Sequence, residues 1–165
     1  MRTPLLPSSL ALLALALPAC GQEGQLPYLY GTVENPVAAV SVEEGHLVFR
    51  GTVDLSWELD GPSDEQVWIE RVTLDRYEDQ AAAVTVLKCP EAFPQPGYHP
   101  TPMTCSFLAT STAVPADVRA WLDDSPVFPV VTFYVTGYDA EVTRNTAGVQ
   151  LCVSYEGAFF GCGLD

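Results

Sequence analysis

Two histidines, His46 and His99, are the side chains best suited to transfer protons near neutral pH in this chain. His46 precedes a long alternating segment and His99 lies in a proline-rich stretch, and neither belongs to a metal-binding pair or a hydrolase motif. The sequence contains neither Gly-x-Ser-x-Gly nor a glycine-rich phosphate loop. A solvated surface histidine is the favoured interpretation of each, so we predict no catalytic residue and no cofactor. The alternative is a secreted hydrolase or lyase whose acidic site is assembled in space.

The carboxylates offer one weak candidate for binding a cation. Asp60, Asp64 and Glu65 surround a Gly-Pro turn and could present several oxygens to one Ca²⁺. The alternating Asp/Asn spacing of a calcium loop is missing from this stretch. A solvated turn is therefore favoured, and no metal is predicted.

The segment between Cys89 and Cys105 is a candidate recognition loop. It contains five prolines, and Phe93, Tyr98 and His99 supply aromatic and polar groups. Prolines stiffen a loop, so that it loses less entropy when it binds a partner. The alternative, which we favour, is a strand connection whose prolines oppose edge pairing and whose aromatic rings cover the core.

The N-terminus has the pattern of an export signal. A short positive start is followed by an apolar stretch, Leu5–Leu17, that is too short to span a membrane. The sequence Leu17-Pro18-Ala19-Cys20 resembles the lipobox of bacterial lipoprotein signal peptides, although Pro18 stands where a small residue is usual. The resemblance implies cleavage before Cys20 and acylation of its thiol, as by palmitate, and of its new amino group.

Lipidation would hold the chain on the cell envelope. The resemblance, with Gly21 after the cysteine, implies the outer membrane if the source has two membranes. Two alternatives remain open at this stage. Cleavage near the Ala14–Ala16 run would release a soluble secreted protein, and an uncleaved leader would act as an anchor.

Cysteine counting supports the lipid anchor. Five cysteines are present, and an odd one in an exported chain needs an explanation. The other four are expected to form disulfides: Cys89, Cys105, Cys152 and Cys162. Three pairings are possible, and we favour neighbours in sequence, which would link Cys152 to Cys162 across a hairpin with a three-residue turn near Glu156-Gly157. Zinc is disfavoured, because the four cysteines lack CxxC spacing.

The charge limits the partners. The chain has 7 Lys+Arg and 21 Asp+Glu, a net charge of −14. A surface this acidic repels phosphates and anionic lipid head groups. We therefore expect no nucleic-acid binding, contact with a membrane through the lipid anchor, and a partner that is an envelope protein or a glycan.

Strand patterns dominate the rest of the chain. Leu47–Leu59 alternates between apolar and polar residues, with Trp57 on the apolar face and Gly51 marking a bend or bulge. The alternation changes parity around Glu70-Arg71, which predicts another bulge. One short helix is expected, with Pro115 at its first position. The predicted elements are strands Ala38–Val42, Leu47–Leu59, Gln66–Tyr77, Ala82–Lys88, Met103–Thr110, Val130–Tyr138, Gly148–Tyr155 and Ala158–Cys162, and helix Pro115–Asp124.

These elements predict an all-β fold, an antiparallel β-sandwich with one short connecting helix, with an up-and-down β-barrel as the alternative. The body loosely resembles immunoglobulin-like or fibronectin type III modules, mainly in the stretch Val131–Asp139. The expected organisation is a signal peptide (1–19), a tether (20–35) and the folded domain (36–165). The predicted function is a non-catalytic envelope lipoprotein acting as a binding or structural module. Sugar binding through Trp57, Trp68 or Trp121 is one form of this hypothesis, with Trp68 the best candidate for exposure.

Overall fold

The computed structural model describes residues 28–60, 66–77, 79–135, 141–144 and 149–163. The elements within these residues confirm an all-β fold with one short helix. In chain order they are β1 (Tyr28–Glu43), β2 (His46–Asp60), β3 (Gln66–Arg76), β4 (Asp79–Lys88), β5 (Gln95–Pro96), β6 (Tyr98–Thr110), α1 (Val118–Asp124), β7 (Phe128–Val135), β8 (Glu141–Arg144), β9 (Cys152–Tyr155) and β10 (Ala158–Phe160).

The strands form one hydrogen-bonded sheet, where two packed sheets were expected. The order is β10-β9-β1-β2-β6-β4-β3-β7-β8, with β5 attached to β3, and among the described strands only the β1–β9 pair is parallel. β4 pairs with both β3 and β6 and so joins the two halves. Bulges in the ladders let the sheet bend without breaking, so that β1 packs against β7, with Gly31 against the ring of Phe133. The described ladders do not join β8 to β10 and do not follow an up-and-down order.

The long alternating strand is confirmed as β2. Its apolar face supplies much of the core, and Trp57 is almost fully buried, as predicted. Gly51 lies where a Cβ atom would run into the carbonyl oxygen of Val37 and the ring of Phe107. The register shift itself is in β1, between Glu34 and Val37. The glycine therefore makes room for a bulge in the neighbouring strand.

The bulge predicted at Glu70 is also confirmed. Ile69 of β3 pairs with Phe133 of β7, whereas Arg71 pairs with Thr132, so Glu70 is the extra residue. Before the extra residue the odd-numbered side chains of β3 face the core, and after it the even-numbered ones do. Val67 and Val72 are therefore both buried. Each side of the bulge thus keeps its apolar residues in the core.

Part of the segment predicted to be a tether belongs to the sheet. β1 begins at Tyr28, within the segment 20–35, and pairs in register with the end of β2. Leu29 and Val33 are each 1% exposed, and burying them favours a strand over a mobile linker. The leader, Cys20 and the rest of the segment up to residue 27 lie outside the described residues. No helix in the described part of the chain has the length and apolarity needed to cross a membrane.

The helix begins later than predicted. Pro115 was expected at its first position, but α1 starts at Val118, because Asp117 acts as the N-cap and accepts a hydrogen bond from the Ala120 backbone N–H. Val118 and Leu122 are buried on one side of the helix, as their spacing indicated. α1 thus packs its apolar stripe against the sheet.

Both disulfides join neighbours in sequence, as predicted. The sulfur atoms are 2.02 Å apart in Cys89–Cys105 and 1.92 Å apart in Cys152–Cys162. The turn of the terminal hairpin differs from the prediction. Tyr155 pairs with Ala158, so the turn has two residues, Glu156 and Gly157, both with positive φ. The left-handed backbone that Gly157 adopts favours this tighter turn.

Candidate functional site

The proline-rich segment is built into the sheet. Gln95 and Pro96 pair with β3 as β5, and the carbonyl of Gly97 accepts a hydrogen bond from the backbone of Leu59 in β2. Tyr98, the next residue, pairs with β2 as the start of β6. The segment therefore bridges β3 and β2, which agrees with the favoured interpretation as a strand connection.

Two of the three predicted recognition residues cover Trp57. The ring centroids of His99 and Trp57 are 4.7 Å apart in a stacked arrangement, and those of Phe93 and Trp57 are 5.6 Å apart. Trp57 Nε1 donates a hydrogen bond of 3.0 Å to the carbonyl of Pro96. Phe93 and His99 thus pack against the core, whereas Tyr98 is 64% exposed and faces solvent.

Tyr98 belongs to a row of three side chains across neighbouring strands. Glu58 of β2 pairs with Tyr30 of β1 on one side and with Tyr98 of β6 on the other. Tyr30 is 49% exposed, and Glu58 is exposed between the two tyrosines. Since adjacent strands lie about 4.8 Å apart, the two tyrosines are separated by about 10 Å with a carboxylate between them. We call Tyr30, Glu58, Tyr98 and the nearby Asp54 and Asp60 the aromatic-acid face.

The aromatic-acid face is negatively charged along its length. Asp54 accepts hydrogen bonds from the hydroxyl of Thr104 and from Asn35 Nδ2, and these bonds lower the pKa of the Asp54 carboxyl, Thr104 having the larger effect. Asp60 is exposed at the end of β2. The strand segments that carry the face, 30–34, 54–60 and 98–104, contain no Lys or Arg. This surface is therefore suited to a positively charged group.

His46 is held by a backbone group. Its Nδ1 donates a hydrogen bond of 2.8 Å to the carbonyl of Ser111. The Ser111 hydroxyl accepts from the backbone N–H of Leu47 and donates to the carbonyl of Ala113. The histidine and the serine hydroxyl thus form no base–nucleophile pair, and together they fasten the end of β6 to the start of β2.

The calcium candidate lies mostly outside the described residues. Asp60 is at the end of β2, and Asp64 and Glu65 belong to the segment 61–65, which is not described. Among the residues that are described, no group of three or more His, Cys, Asp or Glu side chains is arranged to hold a metal ion.

The tryptophans differ in accessibility. Trp57 is 1% exposed and cannot stack on a ligand, whereas Trp68 is 40% exposed on β3, opposite Tyr134 of β7. Trp121 is half-buried on α1, and the guanidinium of Arg76 lies over its ring.

The sequence did not reveal Tyr30 as part of a site, because Tyr30 fell in the predicted tether. The alternation of Leu29, Gly31 and Val33 was the available signal, and the small residue in its middle weakened it.

No protein-family model matches the chain, and no match is found among curated proteins or solved structures.

Proposed function

We propose that this chain is a lipid-anchored, non-catalytic binding module of the bacterial cell envelope. The lipobox-like sequence ending at Cys20 supports the anchor, and Gly21 favours the outer membrane of a two-membrane envelope. The observation that carries the binding role is the row Tyr30–Glu58–Tyr98 on the aromatic-acid face. Its partner is a basic protein segment that presents Lys or Arg to this row.

The chemistry of the row suits a cationic side chain. A Lys ammonium or an Arg guanidinium above Glu58 would pair with the carboxylate and lie near both tyrosine rings, whose faces attract cations. The net charge of −14 would draw a basic partner towards this surface from a distance. A neutral glycan could also stack on the tyrosines, but it would gain nothing from the carboxylates.

The scaffold reduces the cost of binding. The three residues of the row belong to the hydrogen-bonded strands β1, β2 and β6. Cys105 of β6 is also cross-linked to Cys89 by a disulfide. The backbone that carries these side chains is already ordered, so little conformational entropy is lost when a partner docks. The face is therefore preorganised, which favours a recognition role.

The anchor is tested by expression in a bacterium that processes lipoproteins. The wild-type product should partition into detergent and have the mass of a chain beginning at an acylated Cys20. Cys20→Ser should abolish both properties, and Ser9→Ala, a leader change outside the lipobox-like sequence, should preserve them. A soluble, unacylated wild-type product would contradict the anchor.

The binding face is tested with the mature chain carrying Cys20→Ser, titrated with a short Lys/Arg peptide at low and high salt. NMR shifts should cluster at Tyr30, Glu58 and Tyr98, and binding should weaken as salt rises. Glu58→Gln should weaken binding about fivefold to tenfold, as expected for a pair between two rings. Glu44→Gln removes the same charge from the β1–β2 turn and is the matched control.

Three outcomes would reject the basic partner. The first is equal loss of affinity in Glu58→Gln and Glu44→Gln, which would mean general charge attraction. The second is the absence of shifts on the aromatic-acid face. The third is tighter, salt-independent binding of a neutral oligosaccharide to the same face, which would assign the face to a glycan.

A further inference from the structure

A second site lies away from the aromatic-acid face. A cleft of about 550 Å³ opens between the β3–β4 turn and α1. Its polar and aromatic lining includes Arg76, Tyr77, Asp79, Gln80, Trp121 and Asp124. This volume is within the usual range for small-molecule sites.

The walls of the cleft are fixed by specific contacts. The guanidinium carbon of Arg76 lies 4.3 Å from the ring centroid of Trp121, and its Nη2 lies 3.5 Å from the Asp124 carboxylate. These contacts tie the β3–β4 turn to α1. The segment that begins at Ser111 also lines the cleft, and the Ser111 hydroxyl is held by the backbone N–H of Leu47 and the carbonyl of Ala113. These contacts hold the β3–β4 turn, the segment after β6 and α1 around the cleft.

Tyr77 lines the cleft and has an unfavourable backbone conformation. Arg76 pairs with Asp79, so Tyr77 is the first residue of a two-residue turn, with φ of 51°. A bulky side chain with a left-handed backbone is uncommon, and its ring is 76% exposed, so burial does not offset the cost. Glu44 and Glu156 open the other two-residue turns with similar φ angles of 49° and 47°, so the feature particular to Tyr77 is its exposed aromatic ring. The turn therefore presents an aromatic ring to the cleft at the expense of local stability.

The polar groups of the cleft define the class of ligand. Arg76 supplies donors, Asp79 and Asp124 supply acceptors, and Gln80 supplies both. An anion would face two carboxylates, and a cation would face the guanidinium. A sugar hydroxyl both donates and accepts, and the C–H face of a sugar ring packs on an aromatic ring. We propose that this cleft binds a neutral saccharide, with Tyr77 as its stacking platform.

The test uses the mature chain with Cys20→Ser and short neutral oligosaccharides of hexose and N-acetylhexosamine. In NMR titrations the Trp121 indole and the Gln80 side-chain amide should shift, and the indole of the buried Trp57 should not. Tyr77→Asn removes the ring but keeps a residue that tolerates the left-handed backbone, and it should raise the Kd about tenfold. Tyr77→Phe should bind like the wild type, and Phe159→Ser, which removes an exposed aromatic ring from β10, is the control.

Several results would overturn the assignment. One is the absence of a Trp121 shift with every saccharide. Another is unchanged affinity in Tyr77→Asn, provided that its spectrum shows the native fold. A third is tighter binding of a charged ligand of the same size, because the two signs of charge in the cleft would then not select a neutral molecule.

Discussion

His99 stacks on Trp57, with ring centroids 4.7 Å apart and ring planes inclined by 24°, and Phe93 packs beside the same indole. The proline-rich segment therefore covers the core with two of its rings. Phe93→Ala should lower the free energy of unfolding by about 1–3 kcal/mol, less than for a fully buried phenylalanine. Tyr98→Ala should change it by less than about 0.5 kcal/mol, since this ring is exposed. Denaturant unfolding followed by tryptophan fluorescence measures both, and equal effects would contradict the arrangement.

Tyr77→Asn should stabilise the fold. Asparagine tolerates the left-handed backbone at φ of 51°, so the free energy of unfolding should rise by up to about 1 kcal/mol. Tyr98→Asn, at an exposed tyrosine within β6, should give no gain. Thermal and denaturant unfolding of the two variants test this, and a loss of stability in Tyr77→Asn would show that the ring contributes to folding.

The Glu43–Arg50 pair should give a titration at unusually low pH. Hydrogen bonds from Arg50 and then from Ser41 lower the pKa of the Glu43 carboxyl from 4.5 to about 2. Because the folded pKa lies below the unfolded value, the pair stabilises the fold fully above pH 4.5, and this stabilisation is lost as the pH falls towards 2.

Carbon-detected NMR of the Glu43 carboxyl should therefore show a midpoint near 2. Arg50→Gln should move the midpoint back towards 4.5, whereas Arg119→Gln, which removes the partner of Glu156, should leave it in place. A wild-type midpoint at the usual value would mean that this exposed pair does not form in solution.

Gly51→Ala should disrupt the pairing of β1 with β2. A methyl group at this position would collide with the carbonyl of Val37, which the bulge presses against the strand. Because backbone cannot move aside as a side chain can, the cost should be at least about 2 kcal/mol. Gly163→Ala is the matched control, since a methyl group there would meet no neighbouring atom within 4 Å. Similar stabilities for both variants would contradict the close approach.

Local patterns in the sequence predicted much of the fold. The alternation of β2 is a property of neighbouring residues, and it identified Trp57 as a core residue before any pairing was known. The parity change at Glu70 located a bulge for the same reason. Nearness in sequence also favoured the Cys89–Cys105 bridge, because a short loop is easy to close.

Contacts between distant segments were harder to predict. Nothing local to Gln95–Pro96 indicates that it pairs with β3, so the sequence favoured a strand connection but did not show which two strands it bridges. Tyr30, Glu58 and Tyr98 come together only through the register of three strands. Tyr77 lies at the end of a predicted strand, and its sequence neighbours do not show that α1 forms the opposite wall of a cleft.

The parallel pair β1–β9 has a consequence for how the domain is made. Val37 of β1 pairs with Cys152 of β9. The first strand in the chain therefore cannot complete its pairing until one of the last strands has been made. Contacts this distant in sequence slow folding, because a long loop must close before they form. A chain made from its N-terminus would therefore complete its sheet only after β9 and β10 had been synthesised.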